Sequence, residues 1–350
     1  MKIISLFLLL CLLICPCALA DDTGYDICYE DFMEYADASG KPMILYSGRT
    51  LVALNMRSLP DKGSASLGVV KERGRVYIFG FDQQWLFCWD DSVGVYYIGR
   101  HNVDEIMPVA EGIPPYGVIE NRFIATTARE TSLLVSPEAG AEALGTYPAG
   151  TRMSLWMIRD GWAVVPYNRL VGYLYVGDLM DLTPVAPSIE DAQPGDILAA
   201  FTTFYSTKTT ELNLGRMENM RVGCAYIDQS YASGYEFDFN NVAGPYRYSR
   251  GYKDAPVLID GQTVGGSGGG TCQVSTTLYN VLLQLSDGIT IIWRRPHGPG
   301  GAKYAPHGVD AAVGAENLNL EFRNDFDFPI TIESTVNSGA LCICIRKGSF

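Results

Sequence analysis

Shifted against itself by 77 positions, the chain coincides at Pro60 with Pro137, Leu67-Gly68 with Leu144-Gly145, Trp85 with Trp162, and Tyr96 with Tyr173. A period of that length exceeds the roughly 20–50 residues of solenoid units, so it marks one small domain duplicated. Each copy reads as short alternating strands: Arg75–Phe79 and Gln84–Phe87 in the first, Arg152–Trp156 and Gly161–Val165 in the second. Tyr96–Ile98 and Gly172–Tyr175 close the two units. Alternation at period two, with glycine and charged turns between the strands, predicts a small β-barrel in each copy. The copies are assigned to residues 48–120 and 121–182.

The rest of the chain is bounded by its composition. Its 350 residues, 47% hydrophobic and 19% charged, can bury sizeable cores and call for two or three domains rather than a disordered chain. A net charge of −13 argues against a nucleic-acid partner, because a phosphate backbone is held by a dense Lys/Arg surface. Residues 1–20 carry Lys2, an apolar run from Ile3 to Ile14 and the small-residue end Ala18-Leu19-Ala20, which together predict a secretory signal peptide. A lead-in occupies 21–47. Bilayer crossing takes about 20 apolar residues, so no integral membrane segment is expected once the leader is removed. The expected location is extracellular.

The two copies resemble tandem bacterial SH3-like domains over about 48–105 and 125–182, through Leu54-Asn-Met-Arg-Ser-Leu-Pro60, Leu67-Gly68, Trp85 and the Tyr-rich closing strand. The resemblance implies binding of cell-wall peptides or glycan strands, with Trp85, Trp89 and Tyr97 as candidate contacts. Core packing is the competing role for Trp85 and Trp162, since buried aromatics dominate small cores.

A segment with Pro184, Pro187 and Pro194 reads as a linker over 183–198 and leads into a domain at 199–350. Five of the six residues Gly265–Gly270 are glycine, which argues against a regular element there. Val274, Leu278, Val281 and Leu282 then recur at helical spacing, so a helix starts near Thr271 with Cys272 in its first turn. The positive end of a helix dipole stabilises a thiolate at that position. A nucleophilic cysteine needs a base. The apolar run Gly288–Trp293 predicts a strand leading to Arg294-Arg-Pro-His297, and Asp310 follows as a carboxylate able to orient His297. Gly269, Gly270, Gln273, Arg295 and Tyr304 are the candidate substrate-binding residues. A structural thiol, a turn histidine and a turn aspartate are the competing roles for Cys272, His297 and Asp310.

Nine cysteines are present, of which Cys11, Cys15 and Cys17 fall in the leader. Cys342 and Cys344 share one strand face, so a bond between them is not expected. The histidines His101, His297 and His307 are too scattered for a metal site, and no glycine fingerprint for nucleotides follows a strand. No cofactor and no metal are expected.

The C-terminal segment, over about 200–335, resembles the VanW family. The residues that carry this are Arg216 with Asn219, Phe237–Gly244, Gly251–Ala255, Gly268-Gly-Gly-Thr-Cys-Gln-Val-Ser-Thr-Thr-Leu-Tyr-Asn280, Arg295-Pro-His297, Gly308–Ala311 and Leu320–Asn324. His307 and Ala312 depart from the family, in which Pro or an apolar residue and Thr are usual. Members of this kind occur in secreted or membrane-anchored proteins of Gram-positive bacteria. The expected fold is therefore multi-domain: two all-β SH3-like barrels followed by an α+β domain whose Cys272 helix packs on an antiparallel sheet. Two functions follow. One is Cys-dependent amide cleavage or transfer on peptidoglycan stem peptides; the other is non-enzymatic binding of a wall precursor or protein partner.

Overall fold

A computed structural model describes residues 41–349 apart from 83, 111–112, 260–261, 298–300 and 315–316, with backbone alone for 258–259 and 262–265. The leader, most of the lead-in and Cys28 lie outside the described residues. The chain divides into two compact units: one runs to Gly117 and takes in Gly298–Gly301, the other comprises Val118–His297 and Ala302–Phe350.

The first unit holds β1 (Tyr46–Thr50), β2 (Leu54–Arg57), β3 (Ser66–Val70), β4 (Arg75–Phe81), β5 (Trp85–Asp90), β6 (Gly94–Gly99) and β7 (Val103–Pro108). They form one antiparallel sheet in the order β3-β2-β6-β5-β4-β1-β7. The expected closed barrel is not found among the described residues. The strand β3 pairs with β2 alone and turns Leu67 and Val69 to solvent, so nothing carries the ladder round to β7. The run Trp85-Leu-Phe-Cys-Trp89 is apolar at both parities, as a strand covered on both faces must be. Leu86 and Cys88 join Val76, Ile78, Tyr96 and Ile98 in one core, while Phe87 joins Phe79 and Tyr97 in a second.

The second copy repeats the plan. Its strands are β8 (Phe123–Thr127), β9 (Thr131–Leu134), β10 (Ala143–Tyr147), β11 (Arg152–Leu155), β12 (Met157–Arg159), β13 (Trp162–Tyr167), β14 (Leu170–Tyr175) and β15 (Leu179–Pro184). They pair as β10-β9-β14-β13-β12 and β11-β8-β15. Read together this is the order of the first copy, with the counterpart of β4 broken at Trp156 into β11 and β12.

The remainder is built of β16 (Ile197–Phe204), α1 (Glu211–Ile227), β17 (Ser230–Tyr231), β18 (Glu236–Asp238), α2 (Phe239–Ala243), β19 (Asp254–Ile259), β20 (Gln262–Ser267), α3 (Thr271–Leu282), β21 (Ile289–Arg294), β22 (Leu320–Asn324), β23 (Ile330–Asn337) and β24 (Ala340–Lys347). The sheet β16-β24-β23-β17 carries α3 against β16 and β24, and β18-β22-β21 forms a second sheet. The helix-on-antiparallel-sheet expectation is met here. The hairpin β19-β20 corrects one reading: Gly265 and Gly266 lie in a strand, paired with Pro256 and Ala255.

Contacts, rather than proline content, set the boundary between units. All eight residues of β16 are buried. Thr202 accepts hydrogen bonds from the Ser154 amide (2.8 Å) and hydroxyl (3.0 Å), while Thr203 pairs with Thr277 on α3 at 2.6 Å. The strand is thus covered by the second copy on one face and by α3 on the other. Ile124 shares a core with Ile197, Ala200, Cys342 and Cys344. Within the 183–198 stretch, Ala186 N donates to Ile197 O and Gly195 N to Lys347 O, both at 2.8 Å.

Candidate functional site

The site begins where the glycine run ends. Gly268 and Gly270 sit at φ +87° and +111°, backbone conformations that glycine tolerates and L side chains rarely adopt. A Cβ on Gly269 would lie 2.4 Å from Pro256 O, and one on Gly270 would lie 2.9 Å from Arg216 O. The glycines therefore let the turn between β20 and α3 lie flush against neighbouring backbone. Gly270 caps α3, and Cys272 stands in its first turn, half-buried. The amides on either side are bonded, Thr271 N to Gly268 O (3.2 Å) and Gln273 N to Gly270 O (2.9 Å).

One face of α3 buries Val274, Leu278, Val281 and Leu282. Its other face straps down the segment 309–313. Ser275 Oγ donates to Ala311 O (2.7 Å), Ala311 N donates to Thr276 Oγ1 (3.0 Å), and Asn280 Nδ2 donates to Val309 O (2.8 Å). This strap fixes Asp310, 1% exposed, beside the end of β21, where the chain delivers His297. His297 Nδ1 lies 2.5 Å from Asp310 Oδ2, and the His297 amide donates to the same oxygen at 2.9 Å. Arg294 Nε donates to the Asp310 carbonyl (2.6 Å) and its guanidinium lies 3.5 Å from Oδ1.

Cys272 lies close enough to act on the same imidazole electrostatically. The thiol donates to Val313 O (3.4 Å) and accepts from Val313 N (3.5 Å). Burial works against a charged imidazole, but the hydrogen bond to Asp310 and the fields of Cys272 and Asp310 push the His297 pKa up to about 10. Burial also works against the Asp310 carboxylate, yet His297 and Arg294 hold its pKa below the usual range. Among the other described thiols, burial pushes Cys224 and Cys344 up to about 12 and raises Cys88 and Cys342. All five are unbonded to one another.

The structure therefore brings Cys272, His297 and Asp310 together. Of the residues expected to contact substrate, Gln273 is 1% exposed and its amide is engaged: Oε1 accepts from Arg216 at 2.6 Å, and Nε2 donates to Thr203 Oγ1 (3.1 Å) and Phe204 O (3.0 Å). Gly269 and Gly270 are buried in backbone contact, as above. Arg295 is exposed, and Tyr304 is half-buried with its ring centroid 6.0 Å from Arg216 Cζ. In the first unit, Trp85 and Trp89 are half-buried and pack on Phe79, Phe87 and Tyr97, and Tyr97 is itself buried. Sequence reasoning passed over Ser275 and Thr276 as site residues. Their signal was hydroxyls on an otherwise apolar helix, which must find partners once buried. Among the described residues no cluster of His, Cys, Asp and Glu is placed to hold a metal ion, and no helix is long and apolar enough to cross a membrane.

Comparison with known proteins places the site in context. Residues 215–346 match the family described as VanW like protein. An uncharacterized protein of Bacillus subtilis (strain 168), YoaR, is 33% identical over 142 residues, covering 40% of this chain and 46% of its own length. The chain thus spans about half of that curated relative. Two solved structures from Trichomonas vaginalis, NlpC2 and NlpC1, are each 11% identical, with TM-scores of 0.16 and 0.17. The first covers 54% of this chain and 58% of that one, the second 83% and 91%; a likeness of that degree carries no structural argument.

Proposed function

From the premise that residues 215–346 form a VanW-family domain, we propose that this domain is a cysteine-dependent amide-cleaving or amide-transferring enzyme acting on wall peptides. The observation that carries the reading is the single imidazole of His297, bonded to Asp310 through Nδ1 and close enough to Cys272 to be acted on by its thiol. Nδ1 faces the carboxylate, so Nε2 is left for the thiol and the reacting groups.

In this reading the Cys272 thiolate adds to the amide carbonyl carbon, and the carbonyl electron pair moves onto oxygen. The helix N-terminus stabilises the oxyanion, with the Cys272 amide as the nearest donor. Collapse breaks the C–N bond, and the His297 imidazolium gives its proton to the departing amine, leaving a thioester. Water or a second amine then adds to the thioester, with His297 taking its proton, and the C–S bond breaks to restore the thiolate. Asp310 holds the imidazole in one orientation and stabilises its charged form.

The wider reading is of a secreted envelope protein of a Gram-positive bacterium that reaches its substrate through peptidoglycan-binding SH3-like modules in the two copies. The leader-like first twenty residues and the half-exposed Trp85 and Trp89 support it. Purified stem peptides incubated with the intact protein and with Cys272→Ala test the enzymatic core. Cleaved or exchanged peptides, and a thioester mass on the intact protein alone, are expected. Identical products from both would leave a binding module for a wall precursor or protein partner.

A further inference from the structure

A second charged side chain stands against the start of the Cys272 helix and takes no part in the steps above. Arg216 projects from α1, half-buried, with its backbone and Cγ against Gly270, two residues before Cys272. Its guanidinium donates to Gln273 Oε1 at 2.6 Å, and its Cζ lies 6.0 Å from the centroid of the Tyr304 ring. Gln273 cannot swing away, because its other amide atom is tied to Thr203 and Phe204 of β16. The fork is therefore held in place from one end, and Gln273 is its one hydrogen-bond acceptor among the described residues.

Nine of the described arginines pair with a carboxylate, while Arg57, Arg100, Arg169 and Arg250 donate instead to backbone carbonyls. Arg216 makes no ion pair among the described residues. Its one acceptor is a neutral amide oxygen, an arrangement that orients a cation without neutralising it. Partly buried guanidinium groups favour planar, two-oxygen anions, which they bind bidentately.

We propose that Arg216, oriented by Gln273 and backed by Tyr304, is an anion subsite beside Cys272 that receives the free terminal carboxylate of a peptide substrate. This rests on Cys272 as the reacting group and adds a substrate class to it: peptides cut or exchanged next to their C-terminus.

Haloacetate alkylation tests the pairing of thiol and subsite. In each reagent the thiolate displaces iodide from the CH₂ carbon, but iodoacetate carries a carboxylate and iodoacetamide does not. The iodoacetate-to-iodoacetamide rate ratio at Cys272 is expected to exceed that of free cysteine by about tenfold, and to fall to it in Arg216→Gln. Arg216→Lys, which keeps the charge without the fork, is expected to fall between. Thermal melting of each variant reports whether it is folded. A ratio equal to that of free cysteine, with iodoacetamide still labelling Cys272, would overturn the subsite and leave the thiol chemistry standing.

If neither reagent labels Cys272, the thiol reading fails, and a separate titration decides the subsite. N-acetyl-Ala-Ala with a free carboxylate should shift the Arg216 Nε–H resonance in Cys272→Ala protein, whereas its carboxamide should not. Equal shifts from the two peptides, or none, would overturn the proposal.

Discussion

At the residue scale, the electrostatics of His297 and Asp310 make stability and reactivity depend on pH in a definite direction. His297 has its folded pKa raised from 6.5 to about 10, so the stability it contributes is fully present below pH 6.5 and is lost as pH rises toward 10. Asp310 is depressed, so its contribution is present above its ordinary value near 3.8 and is lost as pH falls below it. Denaturant unfolding across pH should therefore show a plateau between about 4 and 6.5. His297→Gln should flatten the alkaline side. An alkaline side unchanged by that substitution would mean that the imidazole is not charged in the fold. Cys272 should also be alkylated at neutral pH faster than the buried Cys224 and Cys342, and His297→Gln should slow it by at least about tenfold. The residue types and order of this trio were legible in the sequence, because a thiol at a helix start followed by histidine and aspartate is a pattern of chemistry. That Gln273 faces inward was not, because a glutamine one step from a cysteine looks the same whether its amide meets substrate or β16.

At the element scale, the turn before α3 works by shape. The sequence presents a glycine run, which reads as looseness. In the fold, Gly265 and Gly266 belong to a strand, while Gly268 and Gly270 hold left-handed conformations and Gly269 touches the Pro256 carbonyl. Gly270→Ala should cost about 1–3 kcal/mol, from the positive φ and the contact with Arg216 O, and should slow Cys272 alkylation by moving the helix start. Gly150→Ala has a comparable φ of +84° but no atom within 4 Å of its Cβ, so it separates conformational strain from crowding. Equal losses of stability and of thiol reactivity in the two variants would mean that crowding at Gly270 does not position the thiol. The helix itself was legible from the spacing of Val274, Leu278, Val281 and Leu282. Its second buried face was not, because Ser275, Thr276 and Asn280 are polar and only the backbone of 309–311 makes that face a burial site.

At the scale of the whole molecule, the two copies, offset by 77 residues, share an order of strands but not a fate. The first has its own unit, with a double-faced apolar sheet. The second lies in one unit with the C-terminal domain, because β16 needs cover on both faces and Ile124 and Ser154 supply part of it. Ile124→Ala should therefore destabilise the C-terminal sheet, by about 2–4 kcal/mol for a fully buried side chain, and should speed hydrogen exchange at Cys342–Ile345. Exchange confined to the second copy would show that the two fold independently. The sequence by itself determined the local periods: alternation in the strands, helical spacing in α3, the duplication, and the types of residue able to do thiol chemistry. Each of these follows from which side chains recur on one face of a short segment, and a segment carries that information alone. Only the tertiary structure decided where the sheet stops short of closing, which copy joins the C-terminal domain, and which polar side chains bond inward. Those outcomes depend on which surfaces meet across long stretches of chain, as Ser154 meets Thr202 and Arg152–Leu155 approaches β24. Burial then forces every polar group at such a meeting to find whatever partner the opposing surface offers.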